Sequence, residues 1–94
     1  MTAITIRQRE EIRVPPKPIT GEELFDLGVA YSTGQGVPLD LIEAHKWFNL
    51  AALKGNMPAR EWRTNVAQEM TADQIAEAQR QARAWLSEKA LGPR

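Results

Sequence analysis

The chain contains no cysteine. That absence removes a disulfide framework, a thiolate metal site and a cysteine nucleophile together. Histidine is nearly absent as well, and His45 alone is too little for a histidine-based metal site. Neither charge is in excess, with twelve Lys and Arg against twelve Asp and Glu. Proteins that neutralise phosphates carry a basic surplus, so the balance argues against nucleic acid as a partner. Long apolar runs are missing too. The longest is Leu50 to Leu53, against the roughly 20 residues of a membrane span. The opening residues, MTAITIRQREEIRV, hold no apolar stretch of the about 7–15 residues a secretory signal needs. These absences describe a cytoplasmic protein without a transmembrane segment. What is present, 94 residues with 43% apolar and 26% charged, suits one small globular domain.

Two regions differ in pattern. In residues 1–19, Ile4, Ile6, Ile12 and Val14 share one parity, a broken period of two. Pro15, Pro16 and Pro18 follow and dictate an extended exit, because each fixes φ and lacks an N–H. Arg7, Arg9, Arg13 and Lys17 face only Glu10 and Glu11, leaving this arm at +2. A solvated tail and an arm that orders on a partner are both compatible with the segment.

From Thr20 the period becomes helical. Thr20 with Glu23 has capping-box spacing and opens a first helix carrying Leu24, Leu27 and Tyr31, with Phe25 and Ala30 beside them. Gly34 and Gly36 end it and Pro38 blocks continuation. Asp40 with Glu43 opens a second helix, striped by Ala44, Trp47, Phe48, Ala51 and Ala52 and stopped at Gly55. A third is predicted from about Pro58 to Met70, with Ala59, Trp62, Val66 and Met70 on one face. Thr71 with Gln74 launches the last, from Ala72 to Leu91, striped by Ile75, Ala78, Ala82, Trp85 and Leu86. The fold class is all-α, in antiparallel helical hairpins. Trp47, Trp62 and Trp85, one on each of three helices, are expected to fill the interior, with an interfacial place left open for Trp62 or Trp85. Gly28 within a helix costs about 1 kcal/mol against Ala. A close approach of the second helix, near Ala44 and Trp47, is the expected compensation.

The stretch LGVAYSTGQGVPLDLIEAHKWFNLAALKG resembles a Sel-one-like repeat, a relative of the tetratricopeptide repeat. The resemblance rests on Leu27-Gly28, Tyr31, Gly34, Gly36-Val37, Asp40, Ala44, Trp47, Ala51-Ala52, Gly55 and Ala59. It covers about a third of the chain and does not recur in full, since Thr64 and Ala67 stand where Gly and Tyr would repeat. The reading is one repeat, about 20–55, and a C-terminal capping helix pair, about 56–92, behind the Pro-rich arm 1–19. The resemblance implies a small bacterial protein with a scaffold or adaptor role.

No catalytic set emerges. The Gly34–Gly36 turn follows a helix rather than a strand and lacks the rest of a phosphate loop. His45, with Leu41 and Asn49 one turn away on either side, reads as a surface or interface residue. Glu22 with Asp26, and Asp73 with Glu77, sit near helix N-termini, where the macrodipole favours carboxylates. Ser32 and Ser87 have no recognisable activating base. Arg60, Arg63, Arg80 and Arg83 are interleaved with glutamates and read as a solvated face. No enzyme activity, cofactor or metal is expected. The expected function is a protein–protein adaptor or an accessory subunit of a larger bacterial complex. It would dock through its arm, at Ile4, Ile6, Ile12 and Val14, and through a helical face. By analogy with related hairpins that face holds Asp26, Val29, Ala30, Thr33, Arg63 and Ala67. The alternative is a self-assembling homo-oligomer, joined by the arm or by Ile75, Ala82, Trp85 and Leu86.

Overall fold

The computed structural model describes residues 20–91, with side chains through Glu88. Four helices follow one another: α1 Gly21–Thr33, α2 Leu41–Leu53, α3 Met57–Ala67 and α4 Ala72–Leu91. No strand occurs among the described residues.

Each helix begins where a side chain satisfies an amide left over at the first turn. Thr20 Oγ1 accepts from the Glu23 amide at 3.0 Å, and Glu23 Oε1 accepts from the Thr20 amide at 3.1 Å. Thr71 and Gln74 close the same reciprocal pair ahead of α4. At Asp40 only half the box forms, because the Glu43 carboxylate turns to Trp47 Nε1 at 2.9 Å and Lys46 Nζ at 3.0 Å. The Asp40 amide donates instead to the Tyr31 carbonyl at 3.0 Å, tying the loop back onto α1. Asn56, unmarked in the sequence reading, caps α3 by accepting from Ala59, with Pro58 in the first turn. That helix ends at Ala67 rather than Met70, because Glu69 and Met70 donate three residues back and tighten the chain into a turn.

Helix α2 is the hub, packing against α1, α3 and α4. The chain neighbours α3 and α4 share α2 as their principal partner. A Cβ at Gly21 would lie 3.3–3.4 Å from Lys54 and Asn56, so α1 starts beside the α2–α3 turn. Helices α1 and α3 therefore begin at the same end and run parallel, both antiparallel to α2.

The core differs from the expected one. Its largest fully buried side chains are Phe48, Leu24, Leu27 and Leu50, surrounded by the buried alanines 44, 51, 59, 78 and 82. Burying each of these four contributes roughly 1.5–3 kcal/mol. None of the three tryptophans is fully buried: Trp47 and Trp85 are half-buried and Trp62 is 40% exposed. They form the rim instead, Trp47 edge-on to Trp85 at 5.8 Å, and Trp62 against Phe25 at 5.5 Å and Phe48 at 5.8 Å. A narrow, alanine-lined interior accepts a phenyl ring more readily than an indole. Gly28 meets Phe48, not Ala44 or Trp47.

Candidate partner-binding groove

Parallel α1 and α3 leave a groove between them, and its far end opens into a cleft of about 280 Å³. Ser32 and Thr33 form the α1 wall, Trp62, Asn65 and Glu69 the α3 wall, and Leu41 and Val66 complete the lining. Trp62 is the aromatic most open to solvent among the described residues. Its ring is held by Phe25 edge-on and by Phe48 behind it, which fixes an amphipathic surface that can pack on a ligand.

The rim is acidic. Glu22 and Asp26 lie one turn apart on α1, and Glu69 closes the cleft. Neither Glu22 nor Asp26 has a cationic partner among the described residues. Burial, followed by the neighbouring Glu22 and Glu23, pushes the Asp26 carboxyl above the ordinary aspartate range. Arg63, on the same helix as Trp62, donates to Asn49 Oδ1 on α2 at 2.7 Å.

Of the residues expected to contact a partner, Ile4, Ile6, Ile12 and Val14 lie outside the described residues. Asp26 and Thr33 are exposed on α1, and Thr33 lines the cleft. Val29 is half-buried and packs on the core, and Ala30 and Ala67 are half-buried. Arg63 is occupied with α2. Sequence reasoning leaves Trp62 open to an interfacial place but does not join it to Asn65 and Glu69, with which it recurs at i, i+3 and i+7. That mixed apolar and polar face is the available signal.

The two hydroxyls of the cleft are tied to their own helix. Ser32 Oγ and Thr33 Oγ1 both donate to the Val29 carbonyl, at 3.0 and 2.8 Å. His45 is buried rather than superficial, 4% exposed, and its Nδ1 has no partner. Burial, and then the Arg63 charge, push its pKa below the ordinary histidine value. A second cleft of about 220 Å³ lies between α2 and α4, lined by Lys46, Arg80, Gln81, Ala84, Trp85 and Glu88. Its cations are already engaged, Lys46 with Glu43 and the Trp47 ring, and Arg80 with Glu77. Among the described residues no group of three or more His, Asp or Glu could hold a metal ion, and no helix is long and apolar enough to cross a membrane.

Residues 24–56 match the family model of the Sel1 repeat. Comparison with curated proteins and with solved structures finds no match. Sel1 repeats generally mediate protein–protein interaction and are typically non-enzymatic. The match takes in most of α1, the Gly34–Asp40 loop and all of α2, ending on the cap of α3. The α1–α2 hairpin is thus similar to a single Sel1 repeat, over about a third of the chain.

Proposed function

We propose that the chain is a non-catalytic protein-interaction module, an adaptor or accessory subunit of a larger bacterial complex. Its α1–α3 groove receives an extended segment of a protein partner. The observation that carries this reading is Trp62, 40% exposed above the core and sharing its cleft with Glu69, a carboxylate in no ion pair with a described cation. A hydrophobic anchor ringed by charge is the usual anatomy of a binding hot spot. The Sel1 match supports protein as the class of ligand.

The test is co-purification from the native cell with the tagged full-length chain and two variants, Trp62→Ala and Leu86→Ala. Leu86, 39% exposed on α4, is a comparably open apolar residue away from the groove. Circular dichroism establishes that both variants keep the parental helix content. A stoichiometric partner lost with Trp62→Ala and kept with Leu86→Ala supports the groove. A partner retained by both overturns it.

Self-assembly is the second reading, favoured by the exposed Leu53, Met57 and Leu86. Of the residues expected to pair copies, Ala82 is buried within the chain and Trp85 packs on Trp47. A concentration-independent monomer in light scattering at micromolar levels would eliminate this reading.

A further inference from the structure

The groove has a candidate occupant within its own chain. Thr20, the cap of α1, sits at the end where α1 and α3 both begin, so residues 1–19 join the fold at the mouth of the groove. The cleft at the other end is one α1 length away, 13 residues, or about 20 Å at 1.5 Å per residue. A proline-rich segment covers about 3.1 Å per residue. Counted back from Thr20 on that basis, Val14 and Ile12 can reach roughly 19 and 25 Å, which brackets the cleft. Lys17 reaches about 9 Å, and Asp26, six residues beyond Thr20, lies about 9 Å along α1.

Charge and apolarity match in the same register. The segment carries Arg13 and Lys17 beside Ile12 and Val14. Glu69 lines the cleft with Trp62, Leu41 and Val66, and Glu22 and Asp26 stand along α1 at helical spacing from Thr33, on its face. Pro15, Pro16 and Pro18 donate no backbone hydrogen bond, which a strand partner would need and a groove between two helices would not. Tethering supplies an effective concentration of order mM, so weak docking suffices.

We propose that residues 12–18 of this chain dock in its own α1–α3 groove, so that a protein partner must displace them to bind. The proposal rests on the groove reading above and adds regulation to it. The arm then acts as a built-in competitor, excluding ligands that bind less well than the tethered segment. Segments richer in cations or with a larger apolar anchor gain entry.

The absence of cysteine makes the test clean. Two double variants of the full chain are compared, Val14→Cys with Asn65→Cys, and Val14→Cys with Ser87→Cys. Cysteine is itself a small apolar side chain, so the arm keeps its character. Asn65 lines the cleft, whereas Ser87 is exposed on α4, which packs on α2. In glutathione buffers, with both reduced forms melting like the parent, the Asn65 pair is expected to show at least tenfold higher effective concentration. The product is a disulfide-closed monomer, and adding Lys17→Glu lowers the advantage several-fold. Equal effective concentrations for the two pairs would overturn the proposal. So would disulfide-linked dimers as the main product, which would place the arm in the groove of a second copy. The co-purification test is separate: a partner lost with Trp62→Ala while no closure occurs sinks the arm docking and leaves the groove reading standing.

Discussion

A Cβ built on Gly28 would lie 2.4 Å from two atoms of the Phe48 ring. The ring therefore occupies the space that any other residue at position 28 would need, and α1 and α2 close at a distance set by this pair. Gly28→Ala gains up to about 1 kcal/mol of helix propensity. It must then push a fully buried ring aside, an overpacking that costs about 1–3 kcal/mol. With the full propensity gain the expected outcome is a net loss of up to about 2 kcal/mol, or as much as roughly 15 °C in melting temperature for a domain this small. Gly28→Leu should prevent the hairpin from closing. Combining Gly28→Ala with Phe48→Leu, which replaces the flat ring with a smaller group, should recover part of the loss. If Gly28→Ala melts at or above the parent, the close approach is wrong.

His45 sits at 4% exposure with an unpartnered Nδ1 and a lowered pKa, from burial first and Arg63 second. The folded chain therefore holds it neutral while the unfolded chain titrates near the ordinary value of about 6.5. Where the unfolded state binds the extra proton, stability rises with pH. Stability should be complete above about pH 6.5 and fall as the pH drops toward the folded pKa, by at most about 1.4 kcal/mol per pH unit. Denaturant midpoints at pH 7.5, 6.5 and 5.5 read this directly, above the range where ordinary carboxylates titrate. His45→Leu should flatten the profile. Arg63→Gln should raise the pKa and shrink the loss. A parent equally stable at pH 5.5 and 7.5 would contradict the buried neutral imidazole.

The sequence carried the helices but not the assignment of their faces. Capping pairs at Thr20–Glu23 and Thr71–Gln74, and the left-handed Gly34, Gly36 and Gly55, are local features, and local chemistry reads directly from residue spacing. The error lay in treating tryptophan as core by virtue of size. An interior built on the alanines at 44, 51, 59, 78 and 82 has room for Phe48, and the indoles go to the rim. Volume matching among four helices is not a property of any one stripe. The groove was half legible. Thr33 lies on the face that the analogy with related hairpins gave, but Glu69 joins it in the cleft only because α3 runs parallel to α1, a relation that depends on how α2 packs against both. Arg63 is placed on that face by analogy with related hairpins, and nothing in the spacing reveals that it reaches Asn49.

Asp40 caps the helix on which the other three pack, accepting from the Glu43 amide at 3.1 Å. Its reciprocal partner is committed elsewhere, to Trp47 and Lys46. The side-chain carboxylate of Asp40 is thus the main satisfaction of the exposed first turn of α2. Asp40→Ala should cost about 0.5–2 kcal/mol, and Asp40→Asn should retain most of the cap. Because α2 is the hub, the loss should appear as one cooperative shift of the whole melting curve rather than as fraying of a single element. Biphasic melting of Asp40→Ala would show that α2 is not shared by the other helices.

Asp26 separates stability from binding. Burial and the adjacent carboxylates raise its folded-state pKa, so its favourable contribution is present below the ordinary aspartate value and lost as pH rises through the folded one. At pH 7 the ionised group is therefore a net cost. Asp26→Asn should make the chain slightly more stable there, within a few tenths of a kcal/mol because the site is solvent-screened, and the gain should vanish near pH 3. The same substitution removes one of the carboxylates facing the proposed basic occupant. In the background carrying Val14→Cys and Asn65→Cys it should lower the effective concentration of closure several-fold, and the remaining closure should depend less on salt. A residue that weakens the fold while strengthening docking is the pattern expected where function opposes stability. If Asp26→Asn leaves closure unchanged at low salt, the acidic rim does not select the arm, and the apolar cleft around Trp62 alone would hold it.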